Sequence, residues 1–174
     1  GYQTLALMQQ GNLKLADGNA EAAAKLYDQA AATAPNLVIG DLARLKAADA
    51  LLDVAPYAQL QTRLTPLTAA KRPYAIYAKE ALAMAALMVG RTDEAKRDFT
   101  VIQLSLDAPE DMRRRAEMAV QLIDSGEAAT AVAAAKATPT PVPTMPTLPG
   151  AAPTASAAPA APSSTTTPPA GARQ

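Results

Sequence analysis

From residue 1 to about residue 124, apolar side chains recur at helical spacing. Leu5, Met8 and Leu15 mark a first run; Leu26, Tyr27 and Ala30 mark one face of a second; Leu42, Leu45, Ala48 and Leu52 step by three or four along a third. No stretch alternates with a period of two, so no strand is expected. Breaks stand at Asp17-Gly18-Asn19, Pro35-Asn36, Ala55-Pro56, Lys71-Arg72-Pro73, Gly90-Arg91 and Ala108-Pro109. Glycine ends a helix by adopting the left-handed conformation, and proline suits the first turn of the next one. These breaks predict seven helices, roughly 2–16, 20–33, 38–53, 56–69, 74–89, 92–106 and 109–124.

Six of these helices pair as hairpins with short turns. The seventh carries Met112, Ala116, Ala119 and Ile123 on one face, while Glu110/Arg114 and Asp111/Arg115 are spaced for i,i+4 pairing on the other. One packed face and one wet face suit a capping helix, so a helical domain over 1–124 is expected. From Ser125 onward the pattern stops. Ten of the fifteen prolines fall there, among Ala, Ser and Thr and with almost no charge. Such a segment has few large side chains with which to offset the entropy of ordering its backbone, so 125–174 reads as a disordered, polyproline-leaning tail. Pro143, Pro146 and Pro149 create PxxP spacings that fit an aromatic-lined groove. No Arg or Lys flanks them to orient docking, which favours a spacer.

Two stretches of the helical region match each other. LADGNAEAAAKLY (15–27) and LMVGRTDEAKRDF (87–99) superpose with Gly18 on Gly90, a shift of 72 residues. Ala23 then falls on Ala95, Tyr27 on Phe99 and Glu21 on Asp93, with a small residue, Gly11 or Ala83, seven positions before each glycine. Small residues stand where two helices approach closely, and an aromatic stands where a gap to the neighbour needs filling. The shift is slightly more than twice a repeat of about 34 residues, which leaves one whole hairpin between the two units. An alanine-rich bundle reproduces single spacings by chance; agreement at four or more defining positions favours a repeat.

Gly11, Gly18, Ala23, Tyr27, Ala30 and Pro35 in the first unit, with Ala83, Gly90, Ala95 and Phe99 in the third, resemble the tetratricopeptide pattern. The third unit departs from it at Ile102 and at Pro109, which comes two residues late, and the middle unit, 38–69, lacks a turn glycine. The resemblance implies an all-α, tetratricopeptide-like solenoid of three hairpins plus a capping helix. Stacked hairpins of this kind bind proteins or peptides and supply no chemistry of their own. A narrower resemblance covers residues 1–124. GYQTLALMQQGNLKLADGNAEAAAKLYDQAA, DLARLKAADALLD and YAKEALAMAALMVGRTDEAKRDFTVI are similar to the periplasmic part of bacterial inner-membrane tetratricopeptide proteins, the family of the ancillary Sec translocon subunit, in its alphaproteobacterial branch. That likeness implies an amino-terminal membrane helix upstream of Gly1, a periplasmic location, and the Sec translocon and periplasmic chaperones as partners. The Pro/Ala/Thr tail is a departure from that family.

In the repeat so resembled, the first helix of each hairpin lines the concave face. Carried over by position, the partner-binding residues are Leu5, Met8, Asn12, Leu15 and Ala16 in the first unit and Tyr77, Glu80, Met84, Leu87 and Met88 in the third. The second set offers an adaptable, methionine-rich surface suited to varied or extended chains. Packing against neighbouring hairpins is the competing role for Met84, Leu87 and Met88, and Tyr77 and Glu80 are the stronger contact candidates.

Composition narrows the function further. Cys, His and Trp are absent, so thiolate or imidazole metal sites, Cys nucleophiles and Ser-His-Asp triads are excluded. No spacing points to a carboxylate pair or a Ser-Lys dyad, and no catalytic role, cofactor or metal is expected. Sixteen basic residues balance sixteen acidic ones, which gives no reason to expect nucleic acid as a partner. Arg113, Arg114 and Arg115 form the one tight basic run, explained by acidic partners one turn away. Tyr74 and Tyr77 follow Lys71-Arg72-Pro73 at a helix start, where packing is favoured over ligand stacking. The chain begins with Gly and holds no apolar run of eighteen residues, so it reads as a processed form or a fragment, and an upstream anchor is what the family resemblance implies. Two other readings stay open: an envelope-assembly or cell-division scaffold, and a cytoplasmic adaptor whose Pro-rich tail binds partners.

Overall fold

The computed structural model describes residues 1–137, all of whose regular structure is helical. Eight α-helices follow one another: α1 Tyr2–Ala16, α2 Ala20–Ala32, α3 Leu37–Ala50, α4 Tyr57–Leu64, α5 Ala75–Met88, α6 Thr92–Leu104, α7 Glu110–Asp124 and α8 Ala128–Ala137. The expected helix boundaries are met to within a few residues except in α4. There Pro66 has no N–H to donate and disfavours helix in the residue before it. The chain tightens into a 3-10 turn over Thr65–Thr68.

Local chemistry fixes the ends. Gly18 and Gly90 have φ of 75° and 78°. After each, the chain closes the same way: the Asn19 N–H donates to Lys14 O at 2.8 Å and the Arg91 N–H to Ala86 O at 2.9 Å. With the accompanying bonds from the glycines' own N–H groups, these are Schellman closures, which only an αL residue permits. Asn19 and Asn36 cap α2 and α3, accepting from the Ala22 and Ile39 N–H groups at 3.1 and 3.0 Å and stabilising each start by about 1 kcal/mol.

Helices joined by these turns run antiparallel. Thr4 near the start of α1 donates to the Thr33 carbonyl just past α2, at 2.8 Å, while Asn12 near the end of α1 accepts from the Tyr27 hydroxyl at 2.7 Å. Consecutive helices α1, α2 and α3, and again α5, α6 and α7, share the main packing interfaces. More than half of the buried apolar residues among those described are alanines. The helices therefore approach closely, and a few large side chains fill the remaining gaps. Tyr27, 1% exposed, lies so close to Gly11 that a Cβ there would stand 2.6 Å from its ring. Phe99 of α6, 2% exposed, is the corresponding large side chain of a second cluster, with Ala83 of α5 and Met112 and Ala116 of α7.

Polar links then join alternate helices. Lys46 of α3 reaches Asn12 of α1 at 3.4 Å, and Arg115 of α7 reaches Glu80 of α5 at 3.0 Å. Arg63 of α4 grips Asp28 of α2 at 2.9 Å, and the Tyr57 hydroxyl of α4 donates to Glu94 of α6 at 3.0 Å. These links join odd-numbered helices to odd and even to even, beside links between consecutive helices such as Lys79 of α5 to Asp98 of α6. The connection from α4 to α5 is pinned by a fully buried carboxylate, Asp41 on α3, 3.2 Å from Arg72 and 3.1 Å from Arg44. The Arg72 contact is an ion pair without hydrogen-bond alignment. Beside it Lys71 holds φ of 68°, a left-handed conformation costly for a residue with a Cβ.

The expected i,i+4 pairs of α7 form, Arg114 with Glu110 and Arg115 with Asp111. The reading of α7 as the terminal cap, and of everything after 124 as a disordered tail, is corrected by α8. Gly126, with φ of 77°, turns the chain, and an alanine-rich run of high helix propensity follows it. Ala128 is buried, Val132 packs on the cluster of Ala86, Leu87 and Phe99, and the Lys136 ammonium donates to the Met88 carbonyl at 3.0 Å. A cation there also meets the negative end of α5. The rest of the expected tail, 138–174, including the PxxP spacings, lies outside the described residues.

Two measurements check this packing. Gly11→Ala should lower the unfolding free energy by about 1–3 kcal/mol in urea titrations, and Tyr27→Leu should relieve part of that loss in the double variant. A chain ending at residue 137 should melt like the full chain. One ending at residue 124 should lose about 1 kcal/mol, because Ala128 and Val132 no longer cover the cluster.

Candidate functional site

Between α3 and α5 the helices leave an apolar cleft of about 230 Å³. Leu45 and Asp49 share one face of α3, and Leu52 in the turn that follows continues it; on α5, Tyr77, Glu80, Ala81 and Met84 share one face. Leu45 and Ala81, each 7% exposed, line its buried side, while Tyr77 and Met84, each 41% exposed, stay open to solvent. Tyr74 packs edge-on against Tyr77, centroids 6.0 Å apart, and orients its ring.

The two carboxylates of the cleft differ in their surroundings. Glu80 is held by a forked contact from Arg115, Nε to Oε1 at 3.0 Å and Nη2 to Oε2 at 3.2 Å. Asp111 lies on the other side of the same guanidinium at 2.8 Å, and the Arg115 hydrogen bond holds the Asp111 carboxyl below the usual range. Glu80 and Asp111 in turn raise the pKa of Arg115 and keep it charged. Asp49 has no such partner. The residue is exposed at the mouth of the cleft, yet the apolar groups packed around it push its carboxyl up to about 6, with Lys46 opposing the rise and Glu80 adding to it. Lys46 is itself engaged elsewhere, reaching Asn12 and lying 5.6 Å over the Tyr27 ring.

Of the residues expected to bind a partner, Tyr77, Glu80 and Met84 come together in this cleft. Leu87 does not: it is 6% exposed and packs in the cluster with Phe99. Met88 is half-buried beside the end of α8, its carbonyl taken by Lys136. In the first helix Leu5 and Leu15 are exposed, 58% and 43%, but Met8 is buried with Ala30 and Ala43. Asn12 serves the Tyr27 hydroxyl, and Ala16 is exposed at the helix end. The α3 wall, Leu45, Asp49 and Leu52, was not among the expected site residues. Its signal was the same i, i+4, i+7 spacing, hidden in a unit without a turn glycine.

A second depression, about 250 Å³ between α2 and α4, is lined by Glu21, Lys25 and Arg63. Its charges are of both signs and Arg63 is committed to Asp28, which makes it the poorer binding surface. Among the described residues no cluster of acidic side chains is placed to hold a metal ion, and no helix is long and apolar enough to cross a membrane. No family model, curated protein or solved structure matches the chain.

The raised Asp49 pKa sets a pH dependence. The folded chain holds this proton more tightly than the unfolded chain between about pH 4 and 6, so the contribution of Asp49 to stability falls as pH rises through that window. Asp49→Asn should therefore be more stable than the parent at pH 7.5, by about 1 kcal/mol once solvent screening is allowed for. The gap should close near pH 4. Carboxyl NMR titration should place the Asp49 midpoint near 6, with Glu80, Lys46 and Arg115 as the charged neighbours.

Proposed function

We propose that this protein is a non-catalytic binding module, a tetratricopeptide-like helical solenoid that holds a segment of a partner protein in the α3/α5 cleft. The observation that carries this reading is the cleft itself: a buried apolar side with Tyr77 and Met84 left open to solvent beside it. Three further features support it. Antiparallel helix pairs are linked odd to odd and even to even. Gly11 faces the Tyr27 ring, as the small-residue and aromatic positions of the repeat require. Gly126 stands 36 residues after Gly90, half the 72 that separate Gly90 from Gly18, which extends the spacing into α8.

The cleft is below the roughly 300–1,000 Å³ of small-molecule pockets. It suits one or two side chains of an extended chain better than a metabolite. The setting comes from the sequence resemblance: the periplasmic face of a bacterial inner membrane, with the Sec translocon and periplasmic chaperones as partners and an anchor outside this chain. An envelope-assembly or division scaffold is the second reading of the same cleft.

Photo-crosslinking separates them. With a benzophenone amino acid at position 77 in cells, the translocon reading expects Sec subunits among the crosslinked products. Recovery of assembly or division proteins alone would redirect the function, and the same products from a chain also carrying Met84→Arg would remove the cleft from it. Removal of 138–174 should leave capture unchanged; loss of capture would favour the tail as the binding element.

A further inference from the structure

The charges around the α3/α5 cleft do not balance. Glu80 is matched by Arg115, and Lys46 is turned toward Asn12 and the Tyr27 ring. The Asp49 carboxylate accepts no hydrogen bond and makes no ion pair among the described residues. Its position is unfavourable in three respects. It sits in the last turn of α3, where the helix carbonyls already carry partial negative charge. It feels Glu80 across the cleft, and it shares the cleft lining with the apolar Leu45, Leu52 and Met84.

The packing of α3 against its neighbours does not need a carboxylate there, since the residue is exposed and an amide of the same shape fits. A charge retained where it costs stability, in a cleft that otherwise offers apolar surface, is the pattern of a group that meets a cation on binding. Partners of complementary charge are favoured both in encounter and in the bound state. The aliphatic stem of a Lys or Arg can lie along Leu52 and Met84 while its head reaches Asp49.

We propose that the α3/α5 cleft takes an extended protein segment in which a Lys or Arg, flanked by apolar residues, pairs with Asp49 while the apolar side chains seat on Leu45, Leu52 and Met84. This rests on the reading of the cleft as the partner site. It adds the chemistry of the occupant: basic and apolar together, in place of apolar alone.

The test uses the full chain and an array of labelled nine-residue peptides, Gly-Thr-Leu-Thr-X-Thr-Leu-Thr-Gly, with X as Lys, Arg, norleucine, Gln or Glu. In an extended peptide the two leucines share the face of X. The Lys and Arg peptides should bind at least about tenfold tighter than the Gln and norleucine peptides, with Glu weakest. Asp49→Asn, which keeps the fold, should erase the preference for Lys and Arg over norleucine and Gln; Met84→Arg should abolish binding of every peptide. Equal binding of the Lys and norleucine peptides, or a preference that survives Asp49→Asn, would overturn the cation assignment and leave the cleft as the binding site. Binding that Met84→Arg does not weaken, or no binding by any peptide, would overturn both.

Discussion

Close approach between helices is the constraint on which the rest of this structure depends. An interior built largely of alanine brings backbones near one another, but it buries little apolar area per residue and leaves gaps wherever two curved surfaces part. The chain closes those gaps with a few large side chains. Tyr27 against Gly11 is the clearest case, because both halves are needed: the ring requires the missing Cβ, and the missing Cβ without the ring leaves a void. Phe99, Leu60, Leu64 and Leu67 perform the same task farther along.

The cleft follows from a place where this arrangement is incomplete. α4 is short, cut by Pro66, and it gives α5 a weaker seat than α2 and α6 give their neighbours. The connection into α5 is then fixed from the other side, by Arg72 on the buried Asp41 of α3. α3 and α5 are thereby held at the connection and parted along their faces, and the faces that part carry Leu45, Asp49, Tyr77 and Met84. Arg115 completes the wall by holding Glu80 in place from α7.

Much of the helix layout is legible in the sequence because Gly18, Gly90, Asn19, Asn36 and Pro109 act locally, within one turn of their own position. What escapes the sequence is set by neighbours. α5 is apolar nearly all round, so its periodicity does not say which face is core and which is cleft. Only the placement of α6 and α7 sends Leu87 inward and leaves Met84 out. α8 escapes for a different reason. Gly126, with Ala119 seven before it and Ala131 five after, repeats the spacing of the other turns, but Ala135 stands where Tyr27 and Phe99 provide an aromatic. Without that plug α8 buries little beyond Ala128, and the proline-rich composition that follows obscures the turn. The cleft is half legible: its α5 wall reads from the repeat, whereas its α3 wall lies in the unit with no glycine to set the register.

The Schellman turns and short loops make most contacts local in sequence, which favours rapid folding. The α1–α3 and α5–α7 groups each share large interfaces, while α4 packs more lightly on α3 and α5 and links the two groups. The cleft exists only where α3 and α5 stand side by side. On the proposed function, a segment seated across α3 and α5 recognises only the folded arrangement of the two helices, and its binding free energy adds to the stability of that arrangement.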